Sequence, residues 1–442
     1  MAGDYSQTGF DAFKHFSGVL MQQGRVQLDR DWNEQSLIVR HLLRSLARDL
    51  IGPHGGPGTG FAVDVARDKN DDPLPLDFTI APGHYYVDGI LCENEGPRPP
   101  EPLPCRYSTQ PDLTTPAGLQ ANHSYLVHLD VWEREVVALQ DHDLRDVALG
   151  GADTTARSRV VWQVRALDVT GDAEFPKKSA EDYLNGKRPG LSTGRLHATA
   201  LQEMVSQDPC TVSPDARYRG PENQLYRVEI HRPGTAYPAG TATFKWSRDN
   251  AAAVLAVVRT ADRTVTVESL GRDDRLSVTV GDWVELLDDD AVLRRASEPL
   301  LRVEDVDPVD LRVVLGASPS PLTLTRHPLL LRWDHRKASG VELSDGAVPL
   351  REDTWLDLED GVRIRFEAGG TYRTGDHWLI PARTATGDVI WPGPPDAPAW
   401  QPPQGTRHHY APLQLIALDG NGQLDPNRGT SYRRTIAPAA KA

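Results

Sequence analysis

The residues of this 442-residue chain that could do chemistry are scattered, and most stand in patterns that fall short of a site. Asp141-His142-Asp143 sets two carboxylates around an imidazole. A metal held there needs a third ligand and an outer shell that fixes the ring, and the segment reads better as a solvated turn. Asp288-Asp289-Asp290 could gather a cation, but such a run reads first as a solvated acidic turn. Asp419–Asp425 begins like a calcium loop. It departs from that pattern at its sixth position, Leu424, where glycine is needed, and at its twelfth, Thr430. The pairs Glu352-Asp353 and Glu359-Asp360 have the composition of a glycosidase dyad, with no sequence sign of burial. His408-His409-Tyr410 is the remaining polar cluster with ligand chemistry. Glu222, Asn223 and Gln224 precede a strand, where such residues usually satisfy turn backbone groups. Trp246, between Lys245 and Arg248, together with Trp378, could stack on a sugar or base, although a strand tryptophan is more often core. Gly-x-Ser-x-Gly, His-Glu-x-x-His, Gly-x-x-x-x-Gly-Lys-Ser/Thr and Cys-x-x-Cys patterns do not occur. The chain is read as a non-enzyme with no cofactor and no metal.

The elements that would position these residues are mostly strands. Tyr125, Val127, Leu129 and Val131 alternate with His128 and Asp130. Tyr226, Val228 and Ile230 alternate with Arg227 and Glu229, and Val362, Ile364 and Phe366 with Arg363 and Arg365. Period-two alternation marks half-buried strands. Pro82-Gly83, Asp88-Gly89, Asp360-Gly361 and Gly369-Gly370 punctuate the runs, and Ala251–Val258 reads as a buried strand. One segment follows helical spacing instead. Trp32, Val39, Leu43, Leu46 and Leu50 fall on one stripe, widened by Ile38 and Leu42, with Arg40, Arg44 and Arg48 in a charged row. This predicts a helix from about Asp31 to Leu50, capped by Asp29 or Asp31 and ended by Gly52-Pro53. The stretch 52–60 reads as a flexible glycine linker, since it follows a helix and holds no phosphate-binding lysine.

The fold expected is mainly β: an N-terminal arm and amphipathic helix, then several small antiparallel sandwich or barrel domains. The expected division is 1–60 for arm, helix and linker, and 73–170 for a first β-domain with a helical insertion to about 210. Residues 215–260 continue the core, 261–340 form a small barrel, 341–424 a C-terminal β-domain and 425–442 a flexible tail.

Composition narrows the functional classes. Lys+Arg number 48 against 62 Asp+Glu, a net charge of −14, which argues against a general nucleic-acid or acidic-membrane binder. No apolar run approaches the roughly 20 residues of a membrane helix, and the run at Val19–Met21 is too short for a signal peptide. Cys92, Cys105 and Cys210 lack metal-ligand spacing and read as thiols of a protein made in a reducing compartment. The arm stands out against this background. Tyr5, Phe10, Phe13, Phe16, Val19 and Leu20 are costly to leave in water, at roughly 1.5–3 kcal/mol per fully buried large apolar side chain. The arm must therefore dock, on its own domain or on a partner.

Gly3–Ser6 (G-D-Y-S), Leu20–Gln35 (L-M-Q-Q-G-R-V-Q-L-D-R-D-W-N-E-Q), Asp141–Arg165, Glu222–His231 with Phe244–Asn250, and Thr371–Val389 resemble an uncharacterised bacterial protein family, from Gly3 to about Ile416. Some members carry an appended parallel β-helix. The opening Gln-x-Gly-Arg-Val-x-x-Asp-x-Asp-x-Asn-Glu, followed by a helix, and the Ala81–Gly89 hairpin are similar to segments of phage-tail baseplate and fibre proteins. That resemblance implies a structural subunit of a contractile, phage-tail-like injection particle, synthesised in the cytoplasm and assembled into a cytoplasmic or released particle. Its partners would be other particle subunits in a homo- or hetero-oligomer, without nucleic acid. The expected assembly interface comprises Tyr5, Phe10, Phe13, Phe16, Leu20, Arg25, Trp32 and Asn33. The alternatives are a carbohydrate- or receptor-binding module using Trp246, Arg248 and Trp378, and a glycan hydrolase of a tail particle.

Overall fold

The computed structural model describes residues 3, 6, 9–96, 105–113, 115–187, 192–200, 217–271, 273, 275–319, 326–335, 342–394 and 396–437. The protein is mainly β, with small antiparallel sheets and three α-helices among the described residues: Asp29–Ile51, Ala180–Lys187 and Asp289–Arg294. The chain divides into two compact units that are discontinuous in sequence. One comprises Met1–Gln7, Val136–Ala156 and Leu191–Thr406; the other comprises Thr8–Glu135, Arg157–Gly190 and Arg407–Ala442. The consecutive domains expected from the sequence are thus replaced by interleaved segments, because strands far apart in the chain pair with one another.

In the second unit, Thr435–Ile436, His54–Pro57, Gly83–Val87 and Ile90–Asn94 form one four-stranded sheet. Thr430–Ser431, His409–Ala417, Ser124–Val136 and Arg157–Asp168 form another. Phe61, Phe78, Tyr85, Val127, Leu129, Trp162 and Leu413 are buried in a shared core. Two expectations are corrected here. Residues 52–60 are not a flexible linker: His54–Pro57 is a strand, antiparallel to Gly83–Val87 and parallel to Thr435–Ile436. Its glycines serve close approach, since a Cβ on Gly56 would stand 2.5 Å from the His84 carbonyl oxygen and one on Gly60 2.6 Å from it. Nor is 425–442 a loose tail over its described part. The parallel pairing holds Thr435–Ile436, Arg433 Nε donates to the Gly60 carbonyl at 3.0 Å, and the Arg434 amide donates to the Tyr85 hydroxyl at 3.2 Å.

In the first unit, a three-stranded sheet (Leu196–Thr199, Arg363–Phe366, Leu356–Asp357) shares a core with a five-stranded one. The latter runs Val348–Pro349, Thr243–Ser247, Gln224–Arg232, His377–Arg383, Asp388–Val389. A closed six-stranded antiparallel barrel follows, in the order Val254–Ala261, Thr264–Val267, Arg312–Leu315, Leu301–Asp307, Trp283–Leu287, Leu329–Trp333. Valine and leucine fill it, as the interior of a small barrel requires.

Candidate functional site

The long helix and the arm before it form the surface most unlike the rest of the molecule. The helix begins at Asp29 after Leu28, which makes no side-chain cap bond. Asp29 and Asp31, expected as caps, lie inside the first turn, where their charges favour the positive helix end. Gly52, at φ 88°, ends it by donating to the Arg48 carbonyl. The charged row fixes the helix on its own unit. Arg40 Nη1 and Arg44 Nη2 meet the Glu133 carboxylate at 2.9 and 2.8 Å, holding that carboxyl below its usual range against the upward push of burial. The turn Asp88-Gly89 lies under the helix. A Cβ on Gly89, φ 77°, would stand 2.3 Å from the Arg44 carbonyl oxygen.

The arm docks on the other flank. Gly9 lies against the Glu34 carboxylate, the Phe10 and His41 rings are 5.7 Å apart, and the Val19 amide donates to Gln35 Oε1 at 2.7 Å. The apolar stripe itself stays in water. Ile38 is the helix's one buried residue, whereas Trp32 is 77% exposed and Leu50 77%; Val39, Leu42, Leu43 and Leu46 are exposed too. Of the expected interface residues, Phe13 is 90% and Leu20 92% exposed, Phe16 and Arg25 are exposed, and Phe10 and Asn33 are half-buried. Tyr5 lies outside the described residues. Met21, Val26 and Leu28 extend the exposed belt. Val39, Leu43, Leu46 and Leu50 of the stripe form one wall of a groove of about 1860 Å³. Tyr86, Ile90, Leu91, Arg159 and Trp162 contribute to the rest of its lining.

The ligand surface expected at Trp246, Arg248 and Trp378 is corrected. Trp246 and Trp378 are 5% and 2% exposed, and the Trp378 indole donates to the Gln401 carbonyl. Both rings pack among Tyr226, Phe244 and Phe366, because their positions face the sheet-on-sheet core. Arg248 is held by Glu359 and Asp334. Another aromatic stack, Trp355–His197–Trp400, is occupied on both sides of His197, at 4.8 and 3.9 Å.

The other polar candidates are committed internally. Asp288-Asp289-Asp290 is buried, against the expectation of a solvated turn. Asp288 caps a helix at the Ala291 amide, Asp289 pairs with Gln140 and His327, and Asp290 with Arg326. Asp141 caps a short turn. Glu352 accepts from the Gly369 and Gly370 amides and the Tyr372 hydroxyl. His408 pairs with Asp130 and His409 with Asp88, so the adjacent imidazoles serve different carboxylates. Cys92 and Cys105 are free thiols that burial pushes up, Cys105 to about 11, and Cys210 lies outside the described residues. Among the described residues no group of three or more His, Cys, Asp or Glu side chains is arranged to hold a metal ion.

Sequence reasoning missed a buried ionic layer in the first unit. Arg227, Glu229 and His231 lie on the face of their strand opposite Tyr226, Val228 and Ile230, and that polar face is buried at Arg227 and His231 and half-buried at Glu229. Glu229 is in register with Lys245. Lys245 Nζ reaches Glu285 Oε2 at 2.5 Å and Glu229 Oε1 at 3.3 Å, and sits 4.2 Å over the Trp333 ring, whose indole donates to Glu285. Burial raises Glu285. Burial also pushes Glu229 up, but Arg227 and Lys245 outweigh it and hold it at about 2. His231, 1% exposed, has neither ring nitrogen hydrogen-bonded to protein and is pressed by burial to about 2. With Lys245 3% and Glu285 2% exposed, the layer is closed to a substrate. The signal that could have found it is a lysine opposed to a glutamate inside runs otherwise built for a core.

Fold and surface together define a mainly β protein of two units discontinuous in sequence, the second of which carries the exposed apolar segment from Phe13 to Leu28 and the helix. The chain belongs to a family described as "Family of unknown function (DUF6519)", whose model matches residues 1–204 and 186–424. No curated protein and no solved structure matches it.

Proposed function

We propose that this protein is a structural assembly subunit that docks on neighbouring subunits through its N-terminal arm and helix, in a particle of the phage-tail-like class that its opening resembles. The observation that carries this reading is the number of large apolar side chains left exposed between Phe13 and Leu50, among them Phe13, Leu20, Val26, Trp32, Leu43 and Leu50. Contiguous exposed patches mark interaction sites, whereas single exposed apolar residues are ordinary. Burying Phe13, Leu20, Val26, Trp32 and Leu50 alone makes on the order of 10 kcal/mol of gross stabilisation available, at roughly 1.5–3 kcal/mol each. That is comparable to the estimated 4–15 kcal/mol that association costs. The cost is lowered because Arg40, Arg44 and Gly89 already hold the helix in place. The functional titratable groups described above are tied into internal pairs, which suits a scaffold.

The test is a Phe13→Ser/Leu20→Ser variant expressed in the native host. Both side chains are exposed, so the variant should unfold at the temperature of the unaltered chain. It should also be depleted at least tenfold from the high-mass assemblies that the unaltered chain enters. Equal recovery of the two proteins in those assemblies would refute the reading.

A further inference from the structure

Four groups from separate parts of the second unit meet beside the strand His54–Pro57. His54 Nδ1 lies 2.8 Å from the Tyr85 hydroxyl, and its Nε2 lies 2.8 Å from Glu181 Oε1. The Arg434 amide donates to the same hydroxyl at 3.2 Å, and its guanidinium reaches the same Glu181 oxygen at 2.5 Å. Joined in this way are the strand itself, the strand Gly83–Val87, the helix Ala180–Lys187 and segment 433–437. Donor count fixes the direction of each bond. The Glu181 carboxylate only accepts, so Nε2 of His54 carries a proton. With the ring neutral, Nδ1 is an acceptor, and the Tyr85 hydroxyl donates to it while accepting from Arg434. Both ring nitrogens and the hydroxyl are then satisfied, as burial demands with His54 2% and Tyr85 0% exposed.

We propose that these groups form an acid-sensitive clasp: protonation of His54 releases segment 433–437 and opens the sheet edge that the segment covers. A proton on Nδ1 turns that atom into a donor. The Tyr85 oxygen then faces two donors, Nδ1 and the Arg434 amide, and its own proton has no acceptor among the described residues. A buried donor left unpaired is costly, and letting Arg434 go relieves that cost. Beyond the clasp, the segment is held by the two-residue parallel pairing of Thr435–Ile436 and by Arg433 on the Gly58 and Gly60 carbonyls. Burial holds His54 below its ordinary 6.5, while Glu181 and Asp88 pull it up and Arg434 pushes it down. Asp88 is itself engaged by Arg48 and His409, and Arg433 lies over the Tyr85 ring. The depression sets the sign: the clasp is closed above pH 6.5 and weakens as pH falls towards the folded value. Release leaves His54–Pro57 as an open edge, since Gly83–Val87 lies on its other side. Open edges accept further strands.

Hydrogen exchange of the full chain in steps from pH 7.5 to 4.5, corrected for intrinsic rates, tests the proposal. Protection of the amides in 433–437 should fall at least threefold more than that of Ser124–Val136, a strand of the same unit in another sheet. His54→Gln has no ring to protonate and should show no such excess. Glu181→Gln tests the claim with the ring in place. It keeps an acceptor for Nε2 but removes the charge that raises His54, so the pH midpoint of release should move down. A merely structural role for Glu181 would change protection at every pH and leave the midpoint where it was. No excess loss in the unaltered chain, the same excess in His54→Gln, or an unmoved midpoint in Glu181→Gln would each overturn the proposal.

Discussion

At the residue scale, the molecule departs most from expectation where polar side chains alternate with apolar ones. Arg227, Glu229, His128 and Asp130 look like the wet side of a strand, yet all are buried or nearly so and all have ionic partners or polar neighbours. Alternation reports that two faces differ, not that one of them meets water. Which layer covers the second face depends on strands distant in sequence, and that is why the Lys245–Glu285 pair was illegible. The pairing has a pH consequence. His231 and His335 have one or both ring nitrogens without a protein partner, and burial presses them to about 2 and about 4 from an ordinary 6.5. The native state thus binds fewer protons than the unfolded chain below pH 6.5. The stability these histidines contribute is complete above that value and is lost as pH falls towards their folded values, at up to about 1.4 kcal/mol per pH unit each. Lys245 and Arg232 reinforce the depression of His231, and Glu229 opposes it. Glu285, raised by burial, works in the other direction but is present in both proteins of the comparison. Substituting His231→Leu should therefore flatten the fall in unfolding free energy between pH 6 and 4.5, by up to about 1.4 kcal/mol per pH unit. Denaturant titrations across that window check it, and parallel curves for the two proteins would contradict it.

At the element scale, the helix shows what a sequence can and cannot announce. Its existence, each of its ends to within two residues and its glycine stop followed from spacing and C-terminal cap chemistry. Its role did not, because an amphipathic stripe looks alike whether it covers a core or faces outward. Only the arginine row, bound to Glu133, reveals which side is already in use. The glycines after the helix misled for a related reason. Gly56 and Gly60 are compatible with a flexible linker, but they are required by the close passage of the 83–85 backbone. Gly89 carries both demands, a left-handed φ and the approach of Arg44. Replacing it by alanine should loosen the helix from the body, at a cost of about 1–3 kcal/mol for the strained backbone and more for the clash. Thermal unfolding should fall by several degrees, and amides of 29–51 should exchange faster. An unchanged melting temperature would show that the helix is not seated on that turn.

At the scale of the whole molecule, fold class was legible and organisation was not. Short alternating runs with glycine and proline turns specify antiparallel β, and a six-stranded barrel lies within 254–333. The two interleaved units, by contrast, are assembled from segments such as Val136–Ala156 and Arg407–Ala442, whose destination no local pattern encodes. The docking surface was half legible. The arm's composition required burial, and the structure divides it: Phe10 and Val19 lie against the helix, while Phe13, Phe16 and Leu20 face water. The ligand surface at Trp246 and Trp378 failed because tryptophan in a strand belongs to the core more often than to a platform.

The most direct measurement is oxidative footprinting of Phe13, Leu20, Met21, Trp32 and Leu50, in the dilute chain and in assemblies recovered from the native host. These side chains should be modified readily in the dilute protein and be protected at least tenfold in the assembly. Modification of all five at the same rate in both states would contradict the claim that this belt is where the protein docks.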